Sequence, residues 1–193
     1  AMAMGERTPL AIGNAPASGR MAVAEALTNL AAADVAALED IKLSANWMAA
    51  CGFEGQDADL FDTVSAVSTL CQSIGLSIPV GKDSLSMRTR WDEQGEAKEV
   101  VAPVSLVVTA FAPVADVRQT VTPQLRTDLG DTALILLDLG QGRQRLAGSV
   151  LSNVIDQYGS EVPDLDDPAL LKTFFLTIRQ LVQRGLILAY HDR

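Results

Sequence analysis

Between Asp57 and Ile74, apolar residues return every three or four positions: Leu60, Phe61, Val64, Val67, Leu70, Cys71 and Ile74. That spacing lines one stripe of a helix, and such a stripe has to be buried against another element. Gly75 supplies the stop, and Leu76–Val80 then reads as a short strand. A chain with this unit must pack helix against sheet. Gly19–Ala33 also favours a helix through its Ala, Met, Leu, Glu and Arg, with no proline inside. Ser18 stands at its start as an N-cap, and Met21, Ala24, Leu27 and Ala31 face a core. In Ile41–Trp47, apolar Ile41, Leu43, Ala45 and Trp47 alternate with Lys42, Ser44 and Asn46, the pattern of a strand with one buried face. Val101–Pro113 is apolar or β-branched almost throughout, which predicts a strand buried on both faces.

The remaining segments are placed from their punctuation. Pro9–Ile12 is read as a short strand, and the polar run Arg88–Val100 as a hairpin or excursion. Asp116–Asp131 is polar and extended and contains Pro123 and Gly130, so it reads as a junction. Thr132–Leu139 is expected to be a buried strand and Leu146–Tyr158 a helix. A last helix starts at Asp166-Asp167-Pro168, with proline at the first turn and acids where the helix dipole favours them. Its stripe is Leu170, Leu171, Phe174, Phe175, Ile178, Leu181 and Val182, and Gly185 ends it. Leu186–Tyr190 is read as a final strand. Helices and strands interleave without a regular βαβ count.

Composition limits the function. The 193 residues are 48% hydrophobic, enough for a packed core. A net charge of −9 argues against a general nucleic-acid binder, although a nucleotide needs only local donors. No apolar run is long enough to span a membrane, and the N-terminus lacks the regions of a signal peptide. Cys51 and Cys71 have no metal-type spacing and read as reduced core residues of a cytosolic protein. The single histidine, His191, rules out a multi-histidine metal site. No GxGxxG, Walker A, GxSxG or HExxH pattern is present.

Three places could carry chemistry. Glu25 and Asn29 are four apart, so they project from one side of their helix and offer hard oxygen atoms of the kind magnesium takes. On spacing alone, an ordinary solvated helix face is the better explanation, because such pairs occur on very many surface helices. Gly81-Lys82-Asp83-Ser84 follows a strand and combines a flexible glycine with an ammonium, a carboxylate and a hydroxyl. Lysine can meet phosphate and aspartate can hold magnesium. The plain alternative is a polar turn, and the upstream glycine of a phosphate loop is missing. His191-Asp192-Arg193 follows a short apolar strand, a usual position for ligand groups. Asp192 could complete a magnesium site, with His191 orienting or structural. Cys51 as a nucleophile would need a base nearby.

Taken in order, six motifs resemble one family. They are Gly5-Glu-Arg-Thr-Pro9, Glu25-Ala-Leu-Thr-Asn29, Lys42-Leu-Ser-Ala-Asn-Trp-Met48, Pro79-Val-Gly-Lys-Asp-Ser-Leu-Ser-Met87, Thr120-Val-Thr-Pro-Gln-Leu125 and Ala189-Tyr-His-Asp-Arg193. The family is the large, single-chain phosphoribosylformylglycinamidine synthases, also called formylglycinamide ribonucleotide amidotransferases. The resemblance implies a fragment, truncated at both ends, of the second of two pseudo-equivalent synthetase-type halves. Such halves resemble aminoimidazole ribonucleotide synthetase. It further implies an N-terminal α+β part over 1–115 that shares a sheet or barrel with the other half. A junction over 116–130 and the start of a C-terminal α/β part over 131–193 follow.

The reaction implied consumes ATP, glutamine and formylglycinamide ribonucleotide and yields formylglycinamidine ribonucleotide, glutamate, ADP and phosphate. Glu25, Asn29 and Asp192 match the family's magnesium ligands, and Gly81, Lys82, Asp83 and Ser84 fall in a motif near phosphate or substrate. Mg2+ and ATP or ADP are the implied cofactors. The other half and a glutaminase domain are the implied partners, with no nucleic acid and no membrane. The nucleotide site of such a half serves either turnover or a structural, auxiliary nucleotide. The isolated fragment is expected to be cytoplasmic, inactive alone, and prone to self-association through exposed sheet edges.

Overall fold

The computed structural model describes residues 1–192. Its strands are β1 (Met2–Glu6), β2 (Lys42–Met48), β3 (Ser77–Ser84), β4 (Arg88–Glu93), β5 (Glu96–Val101) and β6 (Ser105–Phe111). Its helices are α1 (Ala15–Leu30), α2 (Gln56–Ile74), α3 (Val150–Val154) and α4 (Pro168–Gln183). The main sheet runs β1-β6-β2-β3. β6 is antiparallel to both of its neighbours, and β3 is parallel to β2. A parallel pair needs a long crossover, which α2 supplies. β4 and β5 form a separate antiparallel hairpin, as the polar composition of 88–100 suggests. The architecture is mixed α+β.

One helix organises the core. α1 lies on the sheet at Gly5, where a Cβ would stand 1.9 Å from the Ala22 carbonyl oxygen and 2.7 Å from the Ala26 nitrogen. α1 meets α2 at Gly19, where a Cβ would stand 2.6 Å from Thr63 Cγ2 and 2.8 Å from Val67 Cγ2. The missing side chains let backbone approach backbone at Gly5 and let the Thr63 and Val67 side chains of α2 close onto α1 at Gly19. Around these contacts α1 buries Ala22, Val23, Ala26, Leu27 and Leu30. They pack with Leu43 and Ala45 of β2, Leu106, Val108 and Ala110 of β6, and Val67, Leu70, Cys71 and Ile74 of α2. α4 adds Leu171, Phe175, Ile178 and Val182, the stripe expected from its sequence. A buried ion pair fastens α4 to the loop after α1. Arg179 Nη2 donates to Asp34 Oδ1, with the two side chains only 5% and 9% exposed. Gln183 Nε2 reaches the same oxygen at 3.4 Å, and Arg179 Nε and Nη1 have no partner.

Several expectations are corrected. Thr8–Ile12 is a 3-10 helix where a strand was expected, because Pro9 fixes φ and withholds its donor. α1 begins at Ala15, with Asn14 as its cap: the Asn14 carboxamide oxygen accepts from the Ala17 N–H at 3.0 Å. Ser18 is buried one turn in, and its hydroxyl donates to the Ala15 carbonyl at 2.7 Å. On α2, Phe61 is 71% exposed and Val64 is exposed too, while Thr63 is fully buried. At the Gly19 notch Thr63 packs under α1 in place of Phe61 and Val64, while Val67, Leu70, Cys71 and Ile74 of the expected stripe stay buried. β6 is buried on one face only. Leu106, Val108 and Ala110 face the helices, while Ser105, Val107 and Thr109 are half-buried on a face no helix covers.

The C-terminal region departs furthest. Thr132–Leu139 is not a strand: no described segment pairs with it, and Leu134 is 91% exposed. Within Leu146–Tyr158 only α3 is helical. Asp156 takes a left-handed φ of 54° and the Gln157 N–H turns back to the Ser152 carbonyl, which ends the helix. Leu186–Tyr190 is also not a strand. Its Tyr190 N–H makes one backbone bond, to the Thr122 carbonyl at 3.0 Å.

Candidate functional site

The C-terminal half of α1 gathers the first set of candidate residues. β1 is an edge strand, and two side chains of α1 reach its backbone. Glu25 Oε2 accepts from the Glu6 N–H at 2.7 Å, and Asn29 Nδ2 donates to the Met4 carbonyl at 3.4 Å. Two helical side chains one turn apart thus satisfy two backbone groups two residues apart on the strand. The other Glu25 oxygen meets Arg7 Nη2 at 2.9 Å, with Arg7 35% and Glu25 21% exposed.

Asp192 arrives from the far end of the chain. Its Oδ2 accepts from Thr28 Oγ1 at 3.1 Å. Tyr190 places it there, because the Tyr190 hydroxyl donates to the Thr28 carbonyl at 2.7 Å. Burial, with the Asp192 charge nearby, pushes the Tyr190 phenol well above its ordinary range, so it stays a donor. His191 is exposed, with its Nδ1 3.8 Å from Asp192 Oδ1. Asp192 is therefore attached at Thr28, on the same turn of α1 as Glu25 and Asn29, across 164 residues of sequence. Among the described residues, no three His, Cys, Asp or Glu side chains form a metal-binding group. The donor set here is two carboxylates and one carboxamide, hard oxygens suited to magnesium.

Gly81-Lys82-Asp83-Ser84 is not a loop after a strand. It is the second half of β3, paired with Ala45, Asn46, Trp47 and Met48 of β2. The register links it to the first site. Glu6 opposes Val107, Val107 opposes Asn46, and Asn46 opposes Lys82. Opposed residues share a face, so these four point away from the helices, at the C-terminal ends of the three mutually parallel strands. Three strand spacings separate Glu6 from Lys82, about 14 Å. Lys82 and Asp83 are exposed, and the buried Asn46 Oδ1 has no hydrogen-bond partner. The two candidate groups thus occupy one end of one sheet without touching.

Cys51 and Cys71 are free thiols. Burial pushes Cys71 up to about 11, and desolvation with Asp57 beside it raises Cys51. Neither is an activated nucleophile. Sequence reasoning missed Arg7, Thr28 and Tyr190 as neighbours of the site. Each lies inside one of the six motifs, which was the signal available.

Residues 1–113, more than half the chain, match the model of the FGAR-AT PurM_N-like domain. The chain belongs to this family. Solved structures agree on the fold of this FGAR-AT PurM_N-like chain. Thermotoga maritima PurL complexed with FGAR matches with a TM-score of 0.62 and 10% identity, covering 100% of this chain and 28% of that one. Thermotoga maritima PurL complexed with AMPPCP matches with a TM-score of 0.57 and 13% identity, over 99% of this chain and 26% of that one. PurLQS from Thermotoga maritima gives 0.57 and 12%, over 100% and 27%. The chain spans about a quarter of the length of these structures. No helix among the described residues is long and apolar enough to cross a membrane.

Proposed function

We propose that this chain is a segment of a phosphoribosylformylglycinamidine synthase, from the second of its two synthetase-type halves. The complete enzyme joins ATP, glutamine and formylglycinamide ribonucleotide, in the cytoplasm, to give formylglycinamidine ribonucleotide. The observation that carries this reading is the attachment of Asp192 to Thr28, on the turn of α1 that also bears Glu25 and Asn29, in a chain of this family. In this reading they hold Mg2+ beside the phosphates of ATP or ADP. Bound magnesium would neutralise phosphate oxygens there. Thr28 and Tyr190 hold Asp192 against the helix, and the Glu6 N–H orients Glu25. Gly81, Lys82, Asp83 and Ser84 face phosphate or substrate from the far edge of the sheet, with Lys82 as a point charge. Residues 1–115 form the sheet-building part, 116–130 a junction and 131–193 the start of a second part.

The other half and a glutaminase domain are the proposed partners. The helix-free sheet face, where Met2 and Met4 are 72% and 60% exposed, supports a missing neighbour and self-association of the isolated segment.

A second reading makes this half a scaffold around an auxiliary nucleotide. Its support is that Glu25 also ties α1 to β1, so site and framework share a residue. Glu25→Ala in the full-length polypeptide separates the two. Turnover lost at unchanged thermal stability supports catalysis, whereas stability and retained nucleotide lost together support the scaffold. A full-length enzyme that makes no formylglycinamidine product refutes the assignment altogether.

A further inference from the structure

We propose that Arg7 is a built-in counterion that occupies Glu25 until a divalent cation displaces it. This inference rests on the metal-site reading above. The Glu25 carboxylate has two oxygens with two different partners. The Glu6 N–H takes one at 2.7 Å and is fixed by the strand. Arg7 Nη2 takes the other at 2.9 Å, from a flexible side chain that is 35% exposed. Only the second contact can be exchanged without moving backbone. A carboxylate facing one exchangeable guanidinium carries no net local charge when the site is empty. Without it, a lone carboxylate would stand on the turn of α1 to which Asp192, a second carboxylate, is attached through Thr28.

Arg7 is also placed to stay nearby after displacement. Its backbone carbonyl accepts from the Leu10 N–H at 3.1 Å, as the first residue of the 3-10 turn. Its backbone therefore stays put when the guanidinium swings. Cation entry then becomes an exchange: Arg7 leaves Glu25 as the metal arrives. The pair is part-exposed, so its strength is that of a screened ion pair. Removing Arg7 should tighten cation binding by about two- to fivefold.

The test uses Mn2+ as the probe, read by the loss of its free electron-paramagnetic-resonance signal, in the full-length polypeptide without nucleotide. Arg7→Met is expected to tighten Mn2+ about two- to fivefold. Arg20→Met is the control. It removes a positive charge from α1, the helix that carries Glu25, but frees Asp164, its bidentate partner at 2.6 and 2.8 Å, and leaves the contacts of Glu25 as they were. It should leave Mn2+ affinity within error. An equal gain in both variants overturns the exchange and leaves only long-range charge. Unchanged or weaker binding in Arg7→Met also overturns it. Glu25→Ala distinguishes the two layers of the argument: if it does not weaken Mn2+, the metal-site reading itself fails, and the exchange falls with it.

Discussion

The Asp34–Arg179 pair offers a sharp test of how α4 is held. Asp34→Ala leaves a guanidinium that is 5% exposed without an acceptor, in a site where Nε and Nη1 already lack one. Breaking a buried pair from one side costs about 3–5 kcal/mol. With a urea slope of about 2 kcal/mol/M, the unfolding midpoint should fall by roughly 1.5–2.5 M. Arg179→Met is the milder change. It removes the two orphaned donors with the charge, and Asp34 keeps Gln183 as a partner, so a loss of about 1–2 kcal/mol is expected. The double variant should then be little worse than Arg179→Met alone. That gives a coupling energy of about 3 kcal/mol, well above what independent sites show. Urea unfolding followed by tryptophan fluorescence measures all four corners of the cycle. Additive losses, or a loss below 1 kcal/mol for Asp34→Ala, would refute the reasoning and mean that water reaches the pair.

Two glycines should behave differently toward alanine. At Gly5 the new methyl meets backbone atoms of α1 that cannot turn aside, whereas at Gly19 it meets side-chain methyls of Thr63 and Val67. Gly5→Ala should therefore abolish soluble expression. Gly19→Ala should cost no more than about 1–2 kcal/mol, because overpacking is partly offset by helix propensity; thermal melting decides between them. Cys71 should resist iodoacetamide at pH 8 in the folded chain and react in urea, as mass spectrometry would show. Its folded pKa of about 11 lies above the ordinary 9.0. The stabilising contribution is thus complete below about pH 9 and is lost as pH rises toward 11, so melting temperature should drop across that window and recover in Cys71→Ser. A flat profile in both chains would count against burial as the cause.

What could be read from the sequence was what periodicity and punctuation encode. α2 and α4 announce themselves by spacing, β2 by alternation, and the hairpin by its polar run. The exposure of Phe61 and Val64 was not legible, because it depends on the packing of Thr63 against Gly19, from a distant part of the sequence. β1 was missed for a related reason. Met-Ala-Met-Gly-Glu has no strong alternation, and it becomes a strand by pairing with β6. Thr132–Leu139 shows the converse: an apolar run is strand-like in composition, but strandedness belongs to a pair. At the candidate site, the i,i+4 spacing of Glu25 and Asn29 was visible. The bond from Thr28 to Asp192 and the guanidinium on Glu25 were not, since no local pattern encodes contacts between distant segments.

The strand order has a consequence for how such a chain is made. Met2 opposes Phe111 and Glu6 opposes Val107, so β1 waits for β6, the last strand of this sheet, before it has a strand partner. Closing so long a loop is entropically expensive, and topologies dominated by distant pairings fold slowly. A ribosome would have to extend beyond Phe111 before the N-terminal strand could dock. Until then, the unpaired backbone edge of β1 would be free to bind a chaperone or another nascent chain. Arrest of translation just before β6 should leave β1 unpaired and open to protease, while arrest well beyond it should protect it.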